Sequence, residues 1–219
     1  MILPLPSSLI SVPLMCLTRD HPELSHFDQV KLLLENGAQL IQLRCKTGNC
    51  QNFLRDAARS TMLGKKWGTT IIINDSPEIA KASKADGVHL GQSDSSPVVA
   101  RSLLGPGYLI GRTVHSVEEA ILCKKENPDY VGLGPFRRSK TKQSLKPQLS
   151  SDEFKEIVSI LHPIPIFLIG GLTGDDFSLI DELGITGLAI CSALWAGKNH
   201  SSDISEMIKL SKALVPLSK

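Results

Sequence analysis

The chain reads as an α/β protein, a single (β/α)₈ barrel domain over residues 1–219, and three observations predict it. Short apolar runs rich in Val, Ile and Leu recur eight times along the sequence. Segments with helical spacing or helix-start signals separate them. No Gly-rich dinucleotide turn follows an early run, as an open doubly wound sheet would require. Continuous apolar strands alternating with helices imply a parallel sheet covered on both faces. Repeats of about 27 residues fit a small barrel, a class that typically runs to roughly 250 residues.

The strands are expected at "LMCLT" (14–18), "LIQLR" (40–44), "TIIIN" (70–74), "GVHL" (87–90), "LIGRT" (109–113), "YVGLG" (130–134), "IFLIG" (166–170) and "GLAI" (187–190). Between them, residues 28–36 follow an N-cap candidate and close on Gly37; 51–66, 96–104, 116–126 and 152–161 also read as helices. "SVEEA" (116–120) has the capping-box pattern, Ser116 standing three residues before Glu119. "SDEF" (151–154) is another start signal, and Thr173 is a cap candidate in "LTGDDF" (172–177). The longest irregular stretch, 135–151, reads as a loop.

Composition is that of an ordinary soluble protein, 42% hydrophobic and 21% charged. A net charge of +2 is too small to argue for nucleic acid or a membrane surface. No apolar run approaches the length of a membrane span. The five cysteines (16, 45, 50, 123 and 191) are odd in number and contain no C-x-x-C, so reduced thiols in a cytoplasmic protein are expected. The amino terminus is apolar, but it has no basic residue before Arg19 and is interrupted by Pro4, Pro6 and Pro13, which disfavours a signal peptide.

Barrel chemistry gathers at the carboxyl ends of the strands. The polar residues fall at those ends: Gln42, Arg44 and Lys46; Asn74 and Asp75; Gln92 and Asp94; Thr113 and His115; Thr141 and Lys142; Gly170 and Gly171; Cys191 and Ser192. Strand alternation lets Gln42, Arg44 and Lys46 share one face while Ile41, Leu43 and Cys45 take the other. Two cations on one face call for anions, which a diphosphate supplies. Asp75 and Asp94, with the Asn74 amide and no His or Cys ligand set, suit a hard cation such as Mg²⁺. Gly170-Gly171 and Cys191-Ser192 follow the seventh and eighth strands, where backbone N–H groups often hold a phosphate. Plainer readings stand beside these. Gly-Gly can be only a turn, His89 a hydrogen-bonded core histidine, Arg44 with Asp75 a structural ion pair, and "FRRSKTK" (136–142) a solvated basic loop.

These residues resemble the thiamine phosphate synthase family. "QLRCK" (42–46) is similar to its Q-L-R-x-K, and "IINDSPEIAKASKADGVHLGQSD" (72–94) to its I-I-N-D…G-A-D-G-V-H-L-G-Q-x-D. "IGRTVHS" (110–116), "DYVGLGPFRRSKTK" (129–142) and "IPIFLIGGL" (164–172) extend the likeness, which covers roughly residues 14–195. The resemblance implies an enzyme joining a hydroxymethylpyrimidine diphosphate to a hydroxyethylthiazole phosphate. It implies Asp75 and Asp94 as Mg²⁺ ligands, and the stretch Gln42, Leu43, Arg44, Cys45 and Lys46 with Asn74 and Lys142 as the diphosphate site. Thr113 would sit near the pyrimidine and the departing diphosphate. The thiazole phosphate would fall to Ser139, Lys140 and Thr141, with Gly171, Cys191 and Ser192. Arg44, Lys46, Thr113 and Lys142 would carry catalysis by stabilising charge. Partners would be these small molecules, with a homo-oligomer left open.

The chain departs from that pattern at Cys45, where Glu is common and which alternation turns away, and at Thr113, where Ser is usual. Arg137 and Arg138 replace a Phe-Pro-Thr segment, and Ser139 replaces a Thr. The added cations are expected to tighten phosphate binding or change the accepted thiazole. Two other functions remain open: a thiazole tautomerase using His115 as acid–base group, and a barrel that binds thiamine phosphate without turnover.

Overall fold

A computed structural model describes residues 12–47, 50–137 and 149–214. Eight strands, β1 (Leu14–Leu17), β2 (Leu40–Leu43), β3 (Thr70–Asn74), β4 (Gly87–Leu90), β5 (Leu109–Val114), β6 (Tyr130–Leu133), β7 (Ile166–Ile169) and β8 (Gly187–Ile190), close into a barrel in sequence order. Every neighbouring pair is parallel, β8 returning to β1 with Met15 opposite Ala189. The helices are α1 (His26–Glu35), α2 (Cys50–Trp67), α3 (Pro77–Ser83), α4 (Pro97–Leu104), α5 (Val117–Glu126), α6 (Ser151–Leu161), α7 (Leu179–Leu183) and α8 (His200–Ala213). No described helix is long and apolar enough to cross a membrane.

Alternation along each strand divides the core in two. Ile41, Leu43, Ile71, Ile73, Val88, Leu90, Val131, Leu133 and Leu168 face the helices in the larger cluster. Met15, Leu40, Ile72, Leu109, Tyr130, Phe167 and Ala189 fill the barrel interior. The interior is tight because small and large side chains are matched across it. A Cβ on Gly111 would lie 2.2 Å from Tyr130 Cζ and 2.6 Å from His89 Nδ1, so glycine there makes room for both rings. Continuing the inward rows toward the carboxyl ends of the strands leads to Gln42, Asn74, His89 and Thr113, all buried. The residues that close the apolar plug therefore also floor the polar mouth.

Local signals set the helix starts. Ser116 caps α5, accepting from Glu119 N at 3.2 Å, while the Glu119 carboxylate reaches one residue back to His115 N at 2.7 Å. Ser150, one residue before the expected signal, forms the full capping box with Glu153. α1 starts at His26 behind Ser25, two residues earlier than the apolar pattern predicts. Thr173 precedes a 3₁₀ turn over Gly174–Ser178, as its position suggested. Of the expected loop 135–151, residues 138–148 lie outside the described residues.

Candidate active site at the barrel mouth

The end of β2 is shaped by hydrogen bonds from the β1 side. Thr18 Oγ1 accepts from Arg44 N at 3.1 Å, and Asp20 Oδ2 accepts from Lys46 N at 2.9 Å and Thr47 N at 3.1 Å. Gln42 is buried on the inward row, its amide 3.3 Å from Met15 Sδ. Leu43 and Cys45 pack against the outer cluster. Of the stretch 42–46, Gln42, Arg44 and Lys46 are thus the side chains presented to the mouth, and any contact of Leu43 with a ligand there is left to its backbone. Arg44 makes no ion pair among the described residues; its charge reaches the Cys191 thiol at the end of β8, opposing the burial that pushes that thiol up.

Asp75 follows β3 at φ +70°, a left-handed turn that a short polar side chain tolerates. Its N–H donates to His89 O at 2.8 Å, and its carboxylate meets the Lys46 ammonium. The structural pair is Lys46–Asp75 rather than the Arg44–Asp75 pair considered from the sequence. Asp94 Oδ2 accepts from Gly91 N at 2.7 Å, and its carboxyl group also lies in hydrogen-bond contact with Asp75. Burial first, then the Asp75 charge, push the Asp94 carboxyl above its ordinary range, against the Gly91 N–H and Lys46, which pull it down. Two carboxylates so close repel, and a cation shared between them relieves that repulsion. Beside them the buried Asn74 Nδ2 has no hydrogen-bond partner among the described residues. A donor left unsatisfied at a mouth invites an acceptor on a ligand. An all-oxygen pair of this kind can hold a hard divalent cation.

Thr113 is held from below. Its Oγ1 lies 2.8 Å from His89 Nε2, and His89 Nδ1 lies 3.2 Å from Tyr130 Oη. His89 is therefore a hydrogen-bonded interior histidine whose consequence is to orient the Thr113 hydroxyl. Gln92 also braces the ends of β4 and β5: its Nε2 donates to Thr113 O at 2.5 Å, and its Oε1 accepts from Arg112 at 3.3 Å. The His115 ring nitrogen Nδ1 engages the Gly134 carbonyl oxygen.

On the far side the backbone takes over. Gly170 and Gly171 have φ of +97° and +66°, and a Cβ on Gly171 would lie 2.9 Å from Arg137 Cβ. That close approach lets Phe136 N donate to Ile169 O at 2.8 Å and Arg137 N to Gly170 O at 3.1 Å. Arg137 was expected to add phosphate-binding charge. Instead its guanidinium forms a two-pronged pair with Asp176, at 2.7 and 2.6 Å, which neutralises it and ties Arg137, after β6, to the loop after β7. Cys191 and Ser192 lead into a 3₁₀ turn, Ser192–Trp195, anchored by Trp195 Nε1 on Leu17 O at 2.9 Å. Arg138, Ser139, Lys140, Thr141 and Lys142 lie outside the described residues. Sequence reasoning missed Thr18 and Asp20. The end of β1 was the one strand end given no role, and these two residues show their purpose only once the β2 loop folds over them.

The family model for thiamine monophosphate synthase matches residues 14–194. A thiamine-phosphate synthase of Phocaeicola vulgatus is 34% identical over 205 residues, covering 91% of this chain and 98% of that protein. One of Bacteroides thetaiotaomicron is 30% identical over 207 residues, with 93% and 99% covered. Among solved structures, a thiamine phosphate pyrophosphorylase from Pyrococcus furiosus superposes with a TM-score of 0.82 at 26% identity, over 94% of this chain and 98% of that one. With the barrel, the mouth residues and these likenesses in hand, the chain belongs to the thiamine monophosphate synthase family.

Proposed function

We propose that the chain joins hydroxymethylpyrimidine diphosphate to hydroxyethylthiazole phosphate, releasing diphosphate and giving thiamine phosphate, with Mg²⁺ held by Asp75 and Asp94. The observation that carries this reading is the apposition of those two carboxylates with Lys46 between the strand ends. When bound there, magnesium supplies Lewis-acid neutralisation of the departing diphosphate.

The reaction is a substitution at the pyrimidine methylene. The bond from that carbon to the diphosphate oxygen breaks with its electron pair going to diphosphate, and the thiazole nitrogen forms the new bond to carbon. Asp75 and Asp94 would hold the cation, and Lys46, beside Asp75, would join Arg44 and Lys142 in absorbing the leaving charge. Asn74 Nδ2 gains an acceptor on the substrate. Thr113, fixed by His89, sets the pyrimidine, while Gly171, the Cys191-Ser192 turn and residues 139–141 hold the thiazole phosphate. No protein nucleophile is needed, because charge stabilisation and alignment of two bound partners suffice. The described cysteines form no disulfide, which supports a reducing, cytoplasmic setting.

The test is product formation from both substrates by chelator-treated protein titrated with Mg²⁺, with thiazole tautomerisation assayed in parallel. Saturable magnesium-dependent synthesis is expected. Tautomerisation that ignores chelation, or tight thiamine phosphate binding without any synthesis, overturns the reading.

A further inference from the structure

Outside the mouth, the loop after β1 meets α1 and the loop after β2 around a cavity of about 380 Å³ whose wall includes Asp20, His26, Cys45 and Asp56. Asp20, His26 and Cys45 each offer one ligand atom, and these atoms all lie within 4.8 Å of one another. We propose that these three residues form a second metal site, for a borderline divalent cation of the zinc class, distinct from the carboxylate pair of the mouth.

The hydrogen bonds around the cluster aim its members inward. His26 Nδ1 is taken by Thr18 Oγ1 at 2.7 Å, which turns Nε2 toward the cluster, as an outer partner does for a ligating imidazole. The ring is further fixed edge-on by Phe53 at 5.1 Å. Asp20 spends Oδ2 on Lys46 N and Thr47 N, leaving Oδ1 toward His26. Oδ1 and Nε2 stand 3.4 Å apart, a long contact between the two side chains. The Cys45 thiol lies in contact with the same carboxylate.

Asp56, buried on α2, lines the same cavity and keeps its Oδ1 3.9 Å from Arg55 Nε. A ligand set of one thiolate, one imidazole and one carboxylate matches zinc chemistry, three protein ligands with the fourth position open to the cavity. The mouth pair, all oxygen, selects a harder ion. Because Asp20 also holds the backbone of Lys46 and Thr47, an ion here ties α1 to the loop that carries Lys46.

The test uses the reduced, chelator-stripped full chain with Mg²⁺ in excess, titrated with Co²⁺ and followed by absorbance. A stoichiometric thiolate-to-cobalt charge-transfer band, displaced by Zn²⁺, is expected. Cys45→Ser should abolish the band and weaken Zn²⁺ by more than the roughly 10–100-fold that loss of an outer partner costs. Cys50→Ser and Asp75→Asn should both retain the band. His26→Gln, checked for folding by circular dichroism, should lose Zn²⁺ affinity; Cys45→Ser, at a half-buried position, decides the matter should that variant not fold. No band in the unmodified chain, a band that survives Cys45→Ser, or one lost in Asp75→Asn overturns the proposal.

Discussion

The two sides of the barrel mouth are built by opposite means. At the ends of β2, β3 and β4, side chains do the work: Lys46, Asp75 and Asp94 crowd together, with two carboxyl groups in contact and one ammonium beside them. At the ends of β7 and β8, the backbone does it: two glycines at positive φ and a 3₁₀ turn shape that side without a charged side chain of their own. The first side is electrostatically unfinished, since Asp94 is pushed toward its neutral form. The second is sterically finished, since a Cβ on Gly171 meets Arg137. A site of the first kind responds to changes of charge, and one of the second kind to changes of shape.

The largest expected effect comes from the charged side. Asp75→Asn or Asp94→Asn should lower turnover by about 10²–10³-fold, the usual cost of deleting one charge-stabilising group. Thermal stability should stay near that of the parent. In Asp94→Asn the carbonyl oxygen can still accept from Gly91 N, and the repulsion with Asp75 is gone. Near-normal turnover in either variant, measured at saturating magnesium, breaks the comparison at its stronger half.

A crossed pair of variants then sharpens it. Lys46→Ala removes a charge-assisted contact and should raise KM for the pyrimidine diphosphate by about 10–100-fold, leaving the thiazole phosphate less affected. Gly171→Ala should do the reverse. The left-handed residue costs about 1–2 kcal/mol with a side chain, so a roughly 10-fold rise in KM for the thiazole phosphate is expected. Equal losses for both substrates in either variant would mean that the two sides are not separate sites.

The same contrast explains what the sequence could reveal. The apolar runs place all eight strands, because each is buried on both faces and needs no periodicity beyond its length. The short α3, seven residues behind Ser76, escaped because too few turns are present to show a helical period. The polar residues of the mouth were legible because Gln42 and Asn74 lie in strands, where alternation predicts their direction, and Arg44, Lys46, Asp75 and Asp94 follow close behind strand ends. What charge does in space was less legible. Gln92 braces the end of β5, and Arg137 looked like a phosphate cation and is paired with Asp176. Both outcomes depend on a partner 21 or 39 residues away in the chain, which no local pattern encodes.

That Arg137–Asp176 pair gives the smallest prediction and links the two sides of the argument, because it is a charge contact holding a backbone-built loop. Arg137 holds the Asp176 carboxyl below the usual carboxylate range, with help from Thr173 N. A depressed folded value contributes stability that is complete above the unfolded pKa, about 4, and is lost as pH falls through the folded value. Arg137→Ala removes the main cause of that depression and leaves a buried carboxylate facing Thr173 alone. Its Tm at neutral pH should therefore fall below the parent's, by a few degrees at most. As pH is lowered below about 4, the parent loses the same contribution and the two Tm curves should converge. Adding Asp176→Asn to Arg137→Ala should recover part of the loss at neutral pH, since the uncompensated charge is gone. A Tm difference that stays constant from neutral pH into that acid range would mean that Arg137 acts through packing on Phe136, 4.9 Å from its guanidinium, rather than through its charge on Asp176.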